Sequence, residues 1–176
     1  MKVLALSGSL RAASSNTVLL RALVRLAPAD MAVELFDGLG QLPLFNPDLE
    51  ATSPPPVAYL REQIMSADAL IIASPEYAHG ITGVMKNALD WMVGCEAFVN
   101  KPVALLNASP RAVHAQAALR ETVSVMSARI VENASIAVPI LGSNLSEEEI
   151  AFHPELSASL RAALAALAVA VDAAPI

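Results

Sequence analysis

One cysteine, Cys95, stands in a chain of 176 residues. No disulfide can close within the chain, and a solitary thiol suits a reducing compartment. Cys95 itself reads as a small buried apolar side chain before it reads as a nucleophile. Charge is scarce too: charged residues make up 16% against 55% hydrophobic, which excludes a disordered chain and leaves apolar surface that a partner could cover. There is no Lys/Arg-rich run, and the net charge of −6 argues against nucleic acid and against anionic membrane surfaces. No apolar run is long enough to span a bilayer; the first belongs to a short strand, and the Ala-rich stretch from Ala162 to Val171 is bounded by Arg161 and Asp172. His79, His114 and His153 lack metal-ligand spacing. No repeat or linker divides the chain, whose length is that of one domain. The expectation is a single cytoplasmic domain over residues 1–176 that takes up neither metal, nucleic acid nor membrane.

Two phosphate motifs are also missing. Without G-x-x-x-x-G-K-[ST] the chain is no P-loop nucleotide triphosphatase, and without G-x-G-x-x-G it lacks the usual dinucleotide pyrophosphate turn. What is present lies between Leu4 and Thr17, where LALSGSLRAASSNT runs from an apolar strand into a loop directly before a helical repeat. A parallel strand delivers such a loop to the sheet's carboxyl edge, the next helix offers unpaired N–H groups, and its macrodipole favours an anion there. Ser9, Ser14, Ser15 and Thr17 can donate hydroxyl hydrogen bonds, and Arg11 adds a planar, permanently charged fork. A helix cap alone would explain Ser15 or Asn16 but not the whole run with Arg11 inside it. A terminal monophosphate, as on a mononucleotide, fits this loop.

Strand-like and helix-like segments alternate along the chain. Val3 to Leu6 reads as a strand, Val18 to Leu26 as a helix with Leu19, Leu23 and Leu26 on one face, and Met31 to Phe36 as the second strand. A long connection rich in Pro and Gly follows from Asp37 to Pro56. Helical spacing resumes at Val57, Leu60 and Ile64. Ala69 to Ala73 is a continuous apolar run of the kind a buried parallel strand shows. Beyond it come a helix from about Ile81 to Val93, a strand Pro102 to Leu106, a helix Ala112 to Ser127 and a strand Ile130 to Val138. A capped helical start lies at Ser146 to Glu149, and a last helix carries Leu156, Leu160, Leu164, Leu167 and Val171. Five strands with intervening helices predict an α/β fold, a doubly wound parallel sheet with right-handed crossovers. Ligands in such sheets sit outside the carboxyl ends of the strands. Ser74 to Gly80 and Asn107 to Arg111 fall on that same edge, so three polar turns are expected to share one ligand.

Taken in order, Gly8-Ser9-Leu10-Arg11, Ser15-Asn16-Thr17, Pro75-Glu76-Tyr77, Gly83 to Trp91, Lys101-Pro102-Val103 and Ser109-Pro110 resemble the NAD(P)H-dependent FMN reductases of flavodoxin-like fold. The resemblance runs from Lys2 to about Val138. It implies a three-layer sandwich with strand order 2-1-3-4-5, bound FMN, NADPH or NADH as hydride donor, a small-molecule electron acceptor such as free flavin or a quinone, and a dimer or tetramer. Carried over residue by residue, Ser9, Arg11, Ser15, Asn16 and Thr17 would hold the FMN phosphate. Pro75, Glu76 and Tyr77, with Ala78 and Gly80 following, would line the isoalloxazine, and Ser109, Pro110 and Arg111 the ribityl and pyrimidine side. No side-chain acid or base is required when hydride passes from nicotinamide through flavin to acceptor.

This chain departs from the commoner family pattern in two places. Ala78 stands where many relatives have Asn, and Arg111-Ala112-Val113-His114 replaces a Gly-rich stretch. Arg111 is expected to point into the cleft and meet either the flavin carbonyls or the phosphate of the pyridine nucleotide. On the helix at 81–93, Ile81, Val84, Met85, Ala88, Leu89, Trp91 and Met92 cover more than half the circumference, wider than one face on a sheet needs, which predicts a partner subunit there. A flavodoxin-like electron carrier without a nicotinamide site, or a binding protein that has lost the cofactor, are the other classes that fit these residues.

Overall fold

The computed structural model describes residues 1–173, so the last three residues of the expected domain lie outside the described residues. Five parallel strands form the central sheet: β1 (Lys2–Ser7), β2 (Ala32–Phe36), β3 (Ala69–Ala73), β6 (Pro102–Leu106) and β7 (Arg129–Ile130). Their order is β2-β1-β3-β6-β7, which counted through this sheet alone is 2-1-3-4-5 as the resemblance implies. Between β3 and β6, β4 (Glu76–Tyr77) and β5 (Gly80–Ile81) pair as a separate antiparallel hairpin. The helices are α1 (Ser15–Leu26), α2 (Pro55–Ser66), α3 (Gly83–Val93), α4 (Val113–Val125), α5 (Glu147–Phe152) and α6 (Pro154–Asp172).

The period of two along a strand divides the core into two halves. Leu4, Leu6, Leu70, Ile72, Val103 and Leu105 face one side and pack with side chains of α2, α3 and α4. Val3, Ala5, Ala69, Ile71, Ala104 and Leu106 face the other and pack with α1 and α6. Both faces are covered, which is why these strands read as continuous apolar runs. By length and composition α6 could cross a membrane, and it is longer than the Ala162–Val171 run alone suggests. Here Leu160, Ala163, Leu164 and Leu167 are buried, and Arg161 donates to the Leu26 carbonyl at the end of α1.

Three sequence expectations need correction. The predicted strand Ile130–Val138 is only two residues long, because Glu132–Ala134 closes a 3-10 turn and pairing returns only at Ala137, opposite Asn107. Side chains fill the gap: the Leu105 N–H donates to Ser135 Oγ at 3.0 Å, and Gln116 Nε2 donates to the Leu105 carbonyl at 3.3 Å. Next, the predicted helix from Ile81 starts at Gly83, since Gly80 and Ile81 belong to the hairpin and Thr82 is the N-cap, accepting from the Met85 N–H.

The third correction concerns the apolar arc of α3. The connection predicted at Asp37–Pro56, which carries two short 3-10 turns, folds over that arc. Trp91 Nε1 and Asn87 Nδ2 both donate to the Pro43 carbonyl, at 2.8 and 3.0 Å, while Asn87 Oδ1 accepts from the Phe45 N–H at 2.7 Å. The Phe45 ring meets Trp91 edge-on, with centroids 5.1 Å apart at 90°. Trp91 is thereby wholly buried within the chain. The surplus apolar surface on this helix is covered by the chain's own loop, so its width no longer argues for a partner subunit.

Candidate functional site

The carboxyl ends of β1, β3 and β6 open onto one cavity of about 310 Å³. Its lining includes Ser9, Arg11, Ser14, Ser15 and Asn16 from the first loop, Pro75, Glu76 and Tyr77 from the second, and Ser109 and Arg111 from the third. Sequence reasoning thus brought together nine of its thirteen site residues. Thr17, Ala78, Gly80 and Pro110 are not part of the lining. Thr17 Oγ1 is engaged with Ser7 Oγ at 2.7 Å and braces the loop from below. Ala78 and His79 form the tip of the hairpin, both in the left-handed region at φ 50° and 59°. The lining also takes in Asn107, Ala108, Ala112 and Leu141, which were not among the predicted site residues. Asn107 carried a signal, a polar residue closing a fully apolar strand; Leu141, beyond the last strand, carried none.

Buried polar side chains lock the three loops to each other. The Gly8 N–H donates to the Ala73 carbonyl, and Thr82 Oγ1 donates to the Gly8 carbonyl at 2.6 Å. Asn16, 5% exposed, accepts from the Ala108 N–H at 3.0 Å. Asn107, 3% exposed, accepts from the Ser109 N–H at 2.8 Å and donates to the Ser74 carbonyl at 3.4 Å. Each such group would cost about 1–3 kcal/mol if left unpaired, so the network holds the loops in one arrangement. Glycine is needed at position 8 by proximity: a Cβ there would lie 2.3 Å from Ser74 Oγ and 2.7 Å from Ser74 Cβ.

The electrostatics of the cavity favour an anion. Ser14 caps α1 by accepting from the Thr17 N–H. The N–H groups of Ser15 and Asn16, also in that first turn, have no partner among the described residues. Neither Arg11 nor Arg111 makes an ion pair or a side-chain hydrogen bond among the described residues, although carboxylates outnumber Lys and Arg by 17 to 11. Glu76 is the one carboxylate in the lining. It is turned away to accept from the Ala115 N–H of α4 at 2.9 Å.

A terminal phosphate therefore meets free N–H groups, hydroxyls and a guanidinium at one end of a preformed cavity. Residues 1–141 match the model of the NADPH-dependent FMN reductase family. The chain belongs to that family. Members similar to it include an NAD(P)H-dependent FMN reductase of Pseudomonas aeruginosa, 46% identical over 62% of this chain and 60% of that protein. A quinone reductase of Pseudomonas putida is 39% identical over 60% and 59%, and a 2-hydroxy-1,4-benzoquinone reductase of a Burkholderia species 38% identical over 64% and 63%. The matched stretch thus spans about three fifths of these relatives' own length. Among solved structures, the flavoenzyme NAD(P)H:(acceptor) oxidoreductase FerB of Paracoccus denitrificans superposes with a TM-score of 0.78 at 26% identity, covering 99% of both chains. The azoreductase of Bacillus anthracis, with a TM-score of 0.59 at 17% identity over 98% of this chain and 99% of that one, shares the fold. As an FMN reductase family member, the chain owes its flavodoxin-like sheet order to the same alternation of buried strands and crossover helices described above.

Proposed function

We propose that this chain is an FMN-dependent NAD(P)H oxidoreductase that reduces a small acceptor such as free flavin or a quinone. The observation that carries the reading is the single cavity enclosed by three loops, with Arg11 and the open first turn of α1 at one end. Family membership and the printed activities of its relatives support it. When bound, FMN supplies the hydride chemistry, accepting from a nicotinamide and donating to the acceptor. Ser9, Arg11, Ser15 and Asn16 would hold its phosphate. Pro75 and Tyr77 would flank the ring from the hairpin side, and Ser109 and Arg111 would stand at the third loop. The residues fit the group: the donors at the α1 end lack competing acceptors, and the loop tethers fix them before any ligand arrives. Glu76 holds the hairpin to α4 and keeps its own charge away from the cavity.

The same reading carries a single FMN-binding domain over residues 1–176, a cytoplasmic location, and a dimer or tetramer. Exposed apolar side chains such as Leu10, Leu44 and Tyr77 are available to such an assembly. Purification followed by a visible spectrum, FMN fluorescence quenching, and NADH and NADPH oxidation against quinone and flavin acceptors tests the proposal. Arg11→Ala is expected to weaken FMN binding roughly 10- to 100-fold, the loss of a charge-assisted hydrogen-bonding group. FMN binding without any NAD(P)H oxidation would mark an electron carrier of the same fold and refute the enzymatic reading.

A further inference from the structure

The charge distribution leaves one cation unexplained by a single mononucleotide. Lys2, Arg25, Lys86 and Arg120 pair with Glu34, Glu147, Asp90 and Glu132. Lys101, Arg129 and Arg161 donate to backbone carbonyls. Among the described residues this leaves Arg11, Arg21, Arg61 and Arg111 without an ion pair or a side-chain hydrogen bond, and two of these four line the same cavity. Arg11 belongs to the loop after β1 and Arg111 to the loop after β6, with β3 and its hairpin between them in the sheet order. Two unpaired guanidiniums flanking one cavity in an acidic chain call for two anionic groups.

The surroundings of Arg111 say more about the second anion. His114, three residues on, begins the exposed side of α4, and its ring stacks on that of His79 at the hairpin tip, with centroids 4.4 Å apart and planes 21° apart. Both rings are exposed. The strained backbone at Ala78 and His79 holds the tip in the conformation that presents His79 to α4, and the bond from the Ala115 N–H to Glu76 closes the same junction. A guanidinium and two imidazoles, all capable of donating N–H groups, thus stand at the junction of hairpin and helix. The nearest carboxylate of either element in the lining, Glu76, is already occupied. A fork and two further donors match the oxygens of a phosphate monoester.

Resting on the oxidoreductase reading, we propose that Arg111, assisted by His79 and His114, recognises the 2′-phosphate of NADPH and sets a preference for NADPH over NADH. The two dinucleotides differ only in that group, so discrimination between them must come from a cationic station placed away from the flavin phosphate loop. Arg111 is the free cation in the lining that meets this condition.

The test is a binding measurement, by calorimetry, of 2′-phospho-ADP-ribose and of ADP-ribose to the purified protein with and without added FMN. The wild-type protein is expected to bind the 2′-phosphorylated fragment roughly tenfold or more tightly. Arg111→Ala abolishes that ratio, Arg111→Lys retains part of it as a point charge without the fork, and His79→Ala and His114→Ala each reduce it. Steady-state KM values for NADPH and NADH should shift in the same sense. Equal affinity of the wild-type protein for the two fragments overturns the proposal. So does an unchanged ratio in Arg111→Ala, or a loss of FMN affinity in that variant with the ratio intact. The fragment ratio reads the rim directly, whereas failure to take up FMN sinks the oxidoreductase reading; the two failures are separate observations.

Discussion

Replacing Gly8 by alanine tests the idea that the first and second loops are held at a fixed close distance. The added Cβ would sit 2.3 Å from Ser74 Oγ, 2.7 Å from Ser74 Cβ and 3.1 Å from Ser74 Cα, where ordinary contact begins at 3.4 Å. Oγ can rotate away, but Cβ and Cα cannot. Relief therefore requires the two loops to separate by about 0.7 Å, the difference between ordinary contact and the Cβ separation. Overpacking of this kind costs about 1–3 kcal/mol, and for a chain of this size each kcal/mol lowers Tm by about 2–4 °C. The shift would strain the bonds from Gly8 N–H to Ala73 and from Thr82 Oγ1 to the Gly8 carbonyl. It would also carry Pro75 and Tyr77 away from the phosphate loop, so FMN affinity should fall together with Tm. Thermal unfolding and FMN fluorescence titration measure both. Adding Ser74→Gly removes the Oγ and Cβ contacts and should recover most of the loss, a coupling of about 0.5–3 kcal/mol between neighbours. If Gly8→Ala left Tm and FMN affinity at wild-type values, or if the double variant were no better than the single, close approach would not be the reason for glycine here.

Further outcomes follow from other elements. Trp91→Phe deletes the indole donor to Pro43 and should cost about 1 kcal/mol, with faster hydrogen exchange confined to the 37–54 connection. Ala78→Gly relieves a left-handed residue at φ 50° and should raise stability by up to about 1 kcal/mol, read by chemical denaturation; a drop would show that the tip is unstrained. Acid unfolding should depend on the capping box of α5. The Ser146 backbone N–H, and then its hydroxyl, hold the Glu149 carboxyl below its ordinary 4.5. A depressed carboxylate gives stability that is fully present above that value and is lost as pH falls through the lower folded-state value. Ser146→Ala should flatten this acid limb in stability measured against pH.

The sheet order and four of its five strands were legible because strands buried on both faces are written as uninterrupted apolar runs, such as Ala69 to Ala73. The phosphate loop was legible because hydroxyls, Arg11 and a helix start coincide. The hairpin was not, since its tip is Ala78-His79, without the Asn or Gly that normally marks consecutive left-handed residues. The breadth of apolar surface on α3 was read correctly, but its cover was misassigned: no local pattern told that Pro43 and Phe45 would fold back onto Trp91. Asn16 was assigned to the phosphate, yet its carbonyl oxygen is committed to Ala108, ninety-two positions away, a tie that only tertiary structure reveals.

The interrupted strand at the edge of the sheet also bears on how this protein behaves in a crowded solution. An uninterrupted β7 would end the sheet in a straight row of open donors and acceptors, a template on which another chain could add a strand. Here the edge runs for two residues, turns out through Glu132–Ala134, and returns for a single bridge at Ala137. The amide and carbonyl of Leu105 behind the gap are already closed off by Ser135 and Gln116 side chains. An intruding strand finds neither a continuous register nor free groups to pair with, so this edge resists intermolecular strand addition while the opposite ends of β1, β3 and β6 stay open to small molecules.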